Sequence, residues 1–158
     1  MGKDFLPSEN LHVKSLPCGC KWILSVLNKA ISKTVTAMEV YDFSSATSAV
    51  YSWWQYQLCD VFIEIIKPVM TADDNNPTSA SLKRVTRDTL WICLDNGLRL
   101  LHPFMPFVTE ELWQRLPQRQ GDTSRKESIM ISDYPTVVEV CNAKLFYVCI
   151  SLKKYIIL

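Results

Sequence analysis

The sequence predicts an all-α protein, an antiparallel bundle of helices joined by short connections. Nearly half of the 158 residues are apolar (48%) and only four are glycine, which is typical of a globular chain long enough to bury one core. In several long segments the apolar residues recur at steps of three and four, the spacing that keeps one apolar stripe on a helix. Prolines and polar clusters separate these segments and predict the connections between helices.

The first helix is predicted over about residues 19–40 and the second over about 44–66. Their apolar stripes are Ile23, Leu27, Ile31, Val35 and Met38 in the first, and Ala46, Val50, Trp54, Leu58, Val61 and Ile65 in the second. Asp42 or Ser44 is the predicted N-cap of the second helix, because a side-chain oxygen there accepts from the unpaired N–H groups of the first turn. Pro68 is its predicted end, since the residue before a proline is disfavoured in the α region.

The third helix is predicted over about residues 78–101 and the fourth over about 108–116. The third begins after Pro77, whose missing N–H costs nothing in a first turn. Its expected inward residues are Leu82, Val85, Leu90, Leu94, Leu98 and Leu101. His102 is expected to cap carbonyls at the end of this helix, and Thr109 is the candidate cap of the fourth.

The chain divides into three predicted parts. We expect residues 1–16 to form an extended lead-in and residues 17–139 to form the bundle, with residues 129–134 as a short strand or an extended strap near its end. Residues 140–158 form an apolar and basic tail whose apolar run, about eight residues, is too short to span a bilayer. No membrane partner is therefore expected.

The cysteines and the first residues bear on metal binding and location. None of the six cysteines forms a Cys-x-x-Cys pair and the two histidines are isolated, so no metal site is expected. The chain opens without the apolar segment of a secretory signal. Reduced thiols in a cytoplasmic protein are the expectation, with an organellar location left open.

Basic residues are clustered rather than abundant. The net charge is +1, whereas a nucleic-acid-binding domain usually has a strong basic excess. Without the predicted tail, 14 basic residues stand against 16 acidic ones. The segment from Lys14 to Lys33 nevertheless holds four lysines and no acid, and the third helix opens with Lys83, Arg84 and Arg87. Any nucleic-acid binding must depend on such local patches.

Four segments, in order, resemble one known family. Residues 98–113, Leu-Arg-Leu-Leu-His-Pro-Phe-Met-Pro-Phe-Val-Thr-Glu-Glu-Leu-Trp, resemble a signature of the anticodon-binding domain of class I aminoacyl-tRNA ligases for valine, isoleucine, leucine and methionine. Residues 20–31, 43–64 and 129–135 agree with that domain in order and spacing. The Trp-Trp-Gln-Tyr-Gln-Leu-Cys-Asp run within the second of these, followed by Lys-Pro, resembles the valine branch. The predicted tail resembles nothing in the family.

The resemblance implies binding of the anticodon arm of a tRNA, with valine tRNA and the catalytic domain of the ligase as partners. Anticodon recognition needs splayed bases met by aromatic or guanidinium planes and by polar groups. The candidate tRNA-binding residues are Asn28, Lys29, Lys33, Lys83, Arg84 and Arg87. Trp53 and Tyr56, which lie off the predicted stripe, are candidates for base stacking, with packing against a neighbouring domain as the alternative.

Catalysis is not expected from this chain alone. The family binds ATP through His-x-Gly-His and Lys-Met-Ser-Lys-Ser elements, and neither occurs here. Four glycines also leave no phosphate-cradling loop. No catalytic residue and no cofactor are therefore assigned, and ATP and Mg²⁺ are expected only for the full ligase. Two alternatives stay open: a piece of a complete ATP-dependent valine–tRNA ligase acting in trans, and a non-catalytic bundle that binds another protein through Trp53 and Tyr56.

Overall fold

The computed structural model of the chain describes residues 5–8, 16–73, 76–118 and 125–138. Its elements are α1 (Cys18–Glu39), α2 (Phe43–Ser52), a π-helical segment (Trp53–Phe62), α3 (Ile63–Thr71), α4 (Pro77–Leu101), α5 (Pro106–Gln114) and a 3-10 turn (Ile129–Ile131). Within the described residues there is no β-strand, and the all-α prediction is confirmed. The predicted tail and most of the lead-in lie outside the described residues.

A tight turn joins α1 to α2. The N–H of Asp42 donates to the carbonyl of Ala37 (2.8 Å) and that of Tyr41 to the carbonyl of Met38 (3.0 Å), the two bonds of a Schellman motif. The Asp42 carboxylate then accepts from the N–H of Ser45 at 3.0 Å and begins α2. Asp42, not Ser44, is therefore the N-cap, and the hydrogen bonds from Ser45 hold the pKa of its carboxyl below the ordinary value.

The π-helical segment changes which residues face the core. α2, this segment and α3 form one continuous helix in which Val50, Trp53, Leu58 and Phe62 are buried. The N–H of Ile63 donates to the carbonyl of Leu58, the i→i+5 bond that defines a π-helix. The predicted stripe includes the buried Leu58 and the half-buried Trp54, but it misses the buried Trp53 and Phe62, because it assumed an α-helical period and each π-helical turn takes up an extra residue.

Gly97 of α4 explains why two neighbouring tryptophans can both pack inward. The rings of Trp53 and Trp54 meet edge to face with centroids 5.3 Å apart. The indole N–H of Trp54 donates to the carbonyl of Gly97 at 3.3 Å. A Cβ on residue 97 would lie 2.6 Å from Cζ3 of Trp53 and 2.9 Å from Cζ2 of Trp54, so only glycine allows this approach.

The prediction that the second helix ends at Pro68 is wrong, because α3 continues to Thr71. A proline inside a helix leaves the carbonyl four residues earlier, here that of Glu64, without its N–H partner. Pro68 and Glu64 are both exposed, so water can hydrate that carbonyl. The Thr71 hydroxyl donates to the carbonyl of Lys67 at 3.1 Å and satisfies a carbonyl in the last turn.

α4 begins as predicted but buries a partly polar face. Asn76 caps it by accepting from the N–H of Thr78 at 2.9 Å, with Pro77 as the first residue. Its buried threonine and asparagine side chains donate to carbonyls four residues earlier in the same helix. Leu98 is buried as predicted, whereas Leu82 is exposed, contrary to prediction. Because α4 packs against several neighbours, no single apolar stripe describes its buried surface.

A buried carboxylate ties the lead-in to α4. Asp88 accepts from the backbone N–H of Ser8 at 3.1 Å and from its hydroxyl at 2.6 Å. Phe5 is buried in the main core. Residues 5–8 are therefore packed on the bundle.

The connection after α4 differs from its prediction in detail. Thr109 lies inside α5, which begins at Pro106, so Thr109 is not its cap. Its hydroxyl donates to the carbonyl of Met105 at 2.7 Å and lies 2.7 Å from Nδ1 of His102. The His102 ring therefore contacts a side chain of α5, and the expectation that it caps carbonyls is wrong.

A carboxylate of α5 holds the 3-10 turn in place. Glu110 accepts from the Ser128 hydroxyl at 2.6 Å and from the N–H of Ile129 at 3.1 Å. Hydrogen bonds from Ser128 and then Gln114 hold the pKa of this carboxyl below its ordinary value. Residues 129–131 form the 3-10 turn and residues 132–138, the strap, have no regular secondary structure, so the alternative of a short strand over 129–134 is wrong.

Gly97→Ala is expected to lower the free energy of unfolding by about 1–2 kcal/mol. Overpacking a core costs about 1–3 kcal/mol, and the higher helix propensity of alanine returns part of it. Urea-induced unfolding measures the change. The matched control is Ser81→Ala, an exposed position on the same helix, which should change stability by less than about 0.5 kcal/mol. A Gly97→Ala variant as stable as the parent would contradict the packing described here.

Candidate nucleic-acid interface

α1 and α2 leave between them an open groove of about 890 Å³, the α1–α2 groove. Its lining residues are Val26, Lys29, Ala30, Ser32, Lys33, Thr36, Ala37, Val40, Asp42, Ser44, Ser45, Ser48, Ala49, Ser52, Trp53 and Gln57. Small side chains keep the groove open, since half of its lining residues are alanine or serine. The lining is mixed, with an apolar floor that includes Trp53 and a rim of hydroxyl groups.

Two candidate lysines share this groove. Lys29 and Lys33 are exposed, lie one turn apart on the same face of α1, and both line the groove. Among the described residues that line it, Asp42 is the one acid, and its carboxylate is already an acceptor for Ser45. The described lining thus holds two lysines, one aspartate and several hydroxyl groups, and hydroxyls can donate to phosphate oxygens or pair with base edges.

The basic residues predicted on α4 do not join them. Arg84 is exposed and Arg87 is half-buried, and neither lines the α1–α2 groove. Lys83 is only 5% exposed, and its Nζ donates to the carbonyl of Ala72 at 2.5 Å. The interpretation of Lys83 as an RNA contact is wrong, because its amine is turned inward to hold the end of α3 on α4.

Asn28 forms hydrogen bonds to the backbone of the strap. Its Nδ2 donates to the carbonyl of Val138 at 2.7 Å, and its Oδ1 accepts from the N–H of Val138 at 2.8 Å. This pair of hydrogen bonds, between residues 110 apart, fixes the end of the strap on α1. The geometry therefore makes Asn28 a positioning residue, in place of the direct RNA contact that the sequence suggested.

The two aromatic candidates have different environments. Trp53 is 1% exposed, so the prediction that it stacks on a base is wrong. Tyr56 is half exposed and meets Tyr51 edge to face, with centroids 5.9 Å apart. Residues five apart point away from each other on an α-helix, and the wider π-helical turn brings this pair together. Tyr56 does not line the α1–α2 groove.

Sequence analysis missed a second aromatic pair, next to the groove. Tyr41 and Phe43 lie on either side of Asp42 and are 78% and 55% exposed. Their rings meet edge to face with centroids 6.5 Å apart. The signal that could have found them is the presence of large aromatic residues on both sides of a helix cap, a place where small polar residues are usual.

Two of the described cysteines, Cys20 and Cys93, are buried. Burial raises the pKa of the Cys20 and Cys93 thiols, which keeps both protonated at neutral pH. Over the described ranges no three His, Cys, Asp or Glu side chains cluster as metal ligands would. In the same ranges no helix combines the length and apolarity needed to cross a membrane.

Comparison with known proteins finds one family. The family model for the anticodon-binding domain of tRNA ligase matches residues 20–155, a range that includes most of the tail set apart on sequence grounds. The mitochondrial valine–tRNA ligase 1 of Arabidopsis thaliana is 57% identical over 139 residues, 88% of this chain and 12% of that protein. Human valine–tRNA ligase is 43% identical over 140 residues, 85% of this chain and 10% of that protein. The mitochondrial valine–tRNA ligase of Saccharomyces cerevisiae is 43% identical over 118 residues, 75% and 10% of the two chains.

The chain thus spans about a tenth of the length of the curated relatives that it matches. Some of these relatives are named as mitochondrial and others carry no such word. The cytoplasmic location stays a prediction.

Asn28→Ala is expected to speed hydrogen exchange of the Val138 amide about tenfold. The substitution removes the acceptor of that N–H, and a lost hydrogen bond costs about 0.5–1.5 kcal/mol of local stability. Native-state exchange followed by mass spectrometry measures the effect. Ser32→Ala, at an exposed position on the same helix, is the control and should leave this amide unchanged. Equal exchange in all three proteins would show that Asn28 does not hold the strap.

Proposed function

Because the chain belongs to the family of anticodon-binding domains of tRNA ligases, we propose that it binds the anticodon arm of a tRNA through the α1–α2 groove. The observation that carries the proposal is the placement of Lys29 and Lys33 on one groove lined by hydroxyl groups. Ammonium groups neutralise phosphates and release counterions, which supplies affinity without reading sequence. Hydroxyl groups supply the hydrogen bonds that splayed bases and 2′-hydroxyls require.

The charge distribution supports a local contact. With a net charge of +1, the chain as a whole has no long-range attraction for RNA. Lys29 and Lys33 outnumber Asp42, the one acid among the described lining residues, and this small local excess of positive charge attracts phosphates only within about a Debye length. We therefore expect modest affinity with a clear dependence on salt concentration.

Valine tRNA is the proposed RNA, and a valine–tRNA ligase is the proposed context. The support is the 57% identity to a protein named as a valine–tRNA ligase and the resemblance of residues 43–64 to the valine branch. Attachment of valine to the tRNA, with ATP and Mg²⁺, is assigned to the catalytic domain of such a ligase, the second proposed partner. This chain contributes binding.

The alternative of a protein-interaction bundle is weaker. It relied on docking through Trp53 and Tyr56, and Trp53 is buried against Gly97. Tyr56 alone, packed on Tyr51, leaves a small aromatic surface. No described feature favours this function over RNA binding.

The double substitution Lys29→Ala and Lys33→Ala is expected to weaken tRNA binding and to flatten its salt dependence. Each lost phosphate contact lowers the slope of log affinity against log salt by about 0.7–0.9, so the pair should lower it by about 1.4–1.8. Fluorescence anisotropy of labelled valine tRNA at several salt concentrations measures both quantities. The control is Lys67→Ala, an exposed lysine of α3 paired with Glu64 outside the groove. If the double variant keeps the parent slope, the groove is not the phosphate site.

Discrimination between tRNAs is a separate prediction. The parent chain should bind valine tRNA more tightly than a tRNA of another specificity, because base-edge contacts add to the shared phosphate contacts. Competition titrations at one fixed salt concentration measure the ratio. Equal affinity for both would contradict the valine assignment while leaving tRNA binding intact.

A further inference from the structure

Tyr41 occupies a backbone position that normally belongs to glycine. Its φ is 59°, the left-handed region, and it is the C′ residue of the Schellman motif that ends α1. Glycine is the usual residue there because a Cβ is disfavoured in this conformation. A large aromatic side chain at this position is strained, and strained residues that persist often have a use beyond folding.

Packing does not account for Tyr41. The side chain is 78% exposed, so its burial returns little of the conformational cost. Phe43, 55% exposed, supports one ring edge at a centroid distance of 6.5 Å and an interplanar angle of 70°. Val40 beside them is also exposed. The turn thus presents an apolar, aromatic surface to solvent.

The backbone beneath this pair is firmly held. Asp42, between the two aromatics, donates its N–H to Ala37 and accepts from Ser45 with its carboxylate. Both rings are therefore presented from a fixed turn, which lowers the conformational entropy that binding would cost. Val40, Asp42 and Ser44, the residues that flank them in sequence, all line the α1–α2 groove.

We propose that Tyr41 and Phe43 form a stacking site for an unpaired base of the RNA whose backbone lies in the α1–α2 groove. This inference rests on the proposed function: the groove would bind the RNA backbone, and the two aromatic rings would bind a base. An edge-to-face pair leaves ring faces open, and every nucleobase has a π-face that can stack on them. The lysines and hydroxyls of the same groove favour RNA over an apolar protein segment as the occupant.

The test uses the full 158-residue chain and two RNAs: the anticodon stem-loop of valine tRNA, and the same stem closed by an abasic loop. Both RNAs carry the phosphates, but only the first carries loop bases. Tyr41→Gly should lower affinity for the intact loop about fivefold or more and leave affinity for the abasic loop unchanged. The melting temperature should stay the same or rise by up to about 3 °C, because glycine relieves the left-handed strain.

Three further variants separate stacking from other effects. Tyr41→Phe keeps the ring and should keep affinity for the intact loop, whereas Phe43→Leu keeps an apolar side chain and should lower it. Phe107→Leu, at a highly exposed aromatic of α5 away from the groove, should behave like the parent. Loss of affinity with a gain or no loss of stability is a combination that a purely structural role of Tyr41 does not produce.

The outcomes distinguish this inference from the function on which it rests. If Tyr41→Gly and Phe43→Leu bind the intact loop like the parent while the Lys29 and Lys33 double variant binds weakly, stacking is overturned and the groove stands. An equal loss on both RNAs also overturns stacking, since abasic RNA has no base to stack. If the parent binds neither RNA, the proposed function and the stacking site fail together.

Discussion

The contact between the two tryptophans of the π-helical segment and Gly97 of α4 is the constraint on which the rest of the structure depends. A side chain on residue 97 would collide with both indoles, so the two helices approach at this point only because α4 has a glycine there. The two tryptophans are the first residues of the π-helical segment, whose turns are wider than those of an α-helix. The π-helical segment sets the register of the long helix from Phe43 to Thr71. This register buries Leu58 and Phe62, which follow Trp53 in the sequence.

The same contact shapes the candidate site. Trp53 is part of the core and also part of the floor of the α1–α2 groove, so the core and the groove share a residue. Around that floor, small residues leave room and the Asp42 cap holds the turn between the helices. The groove is therefore a product of helix packing, and its two lysines are carried on a rigid scaffold, as a preorganised binding site requires.

Single polar side chains hold three of the described segments that lie outside the long helices. Asp88 anchors residues 5–8, Glu110 anchors the 3-10 turn and Asn28 anchors the strap, each through two hydrogen bonds to one short segment. Burying such a polar group without a hydrogen-bond partner costs free energy, so each of these side chains favours the one arrangement in which its segment supplies the partner. This use of polar residues explains why Asn28 and Lys83, which have the polarity expected of RNA contacts, serve the fold instead.

The sequence by itself determined the approximate positions of the helices, that Pro77 marks a helix start, that Asp42 or Ser44 caps another helix, and which family the chain resembles. Helix period, capping and proline effects act within a few residues, so a single chain displays them. Only the tertiary structure decided that both tryptophans pack against α4, which cations share a groove and where the exposed aromatics Tyr41 and Phe43 lie. These depend on contacts such as those of Trp53 with Gly97 and Asn28 with Val138, between residues far apart in sequence, and no local pattern encodes the phase of one helix relative to another.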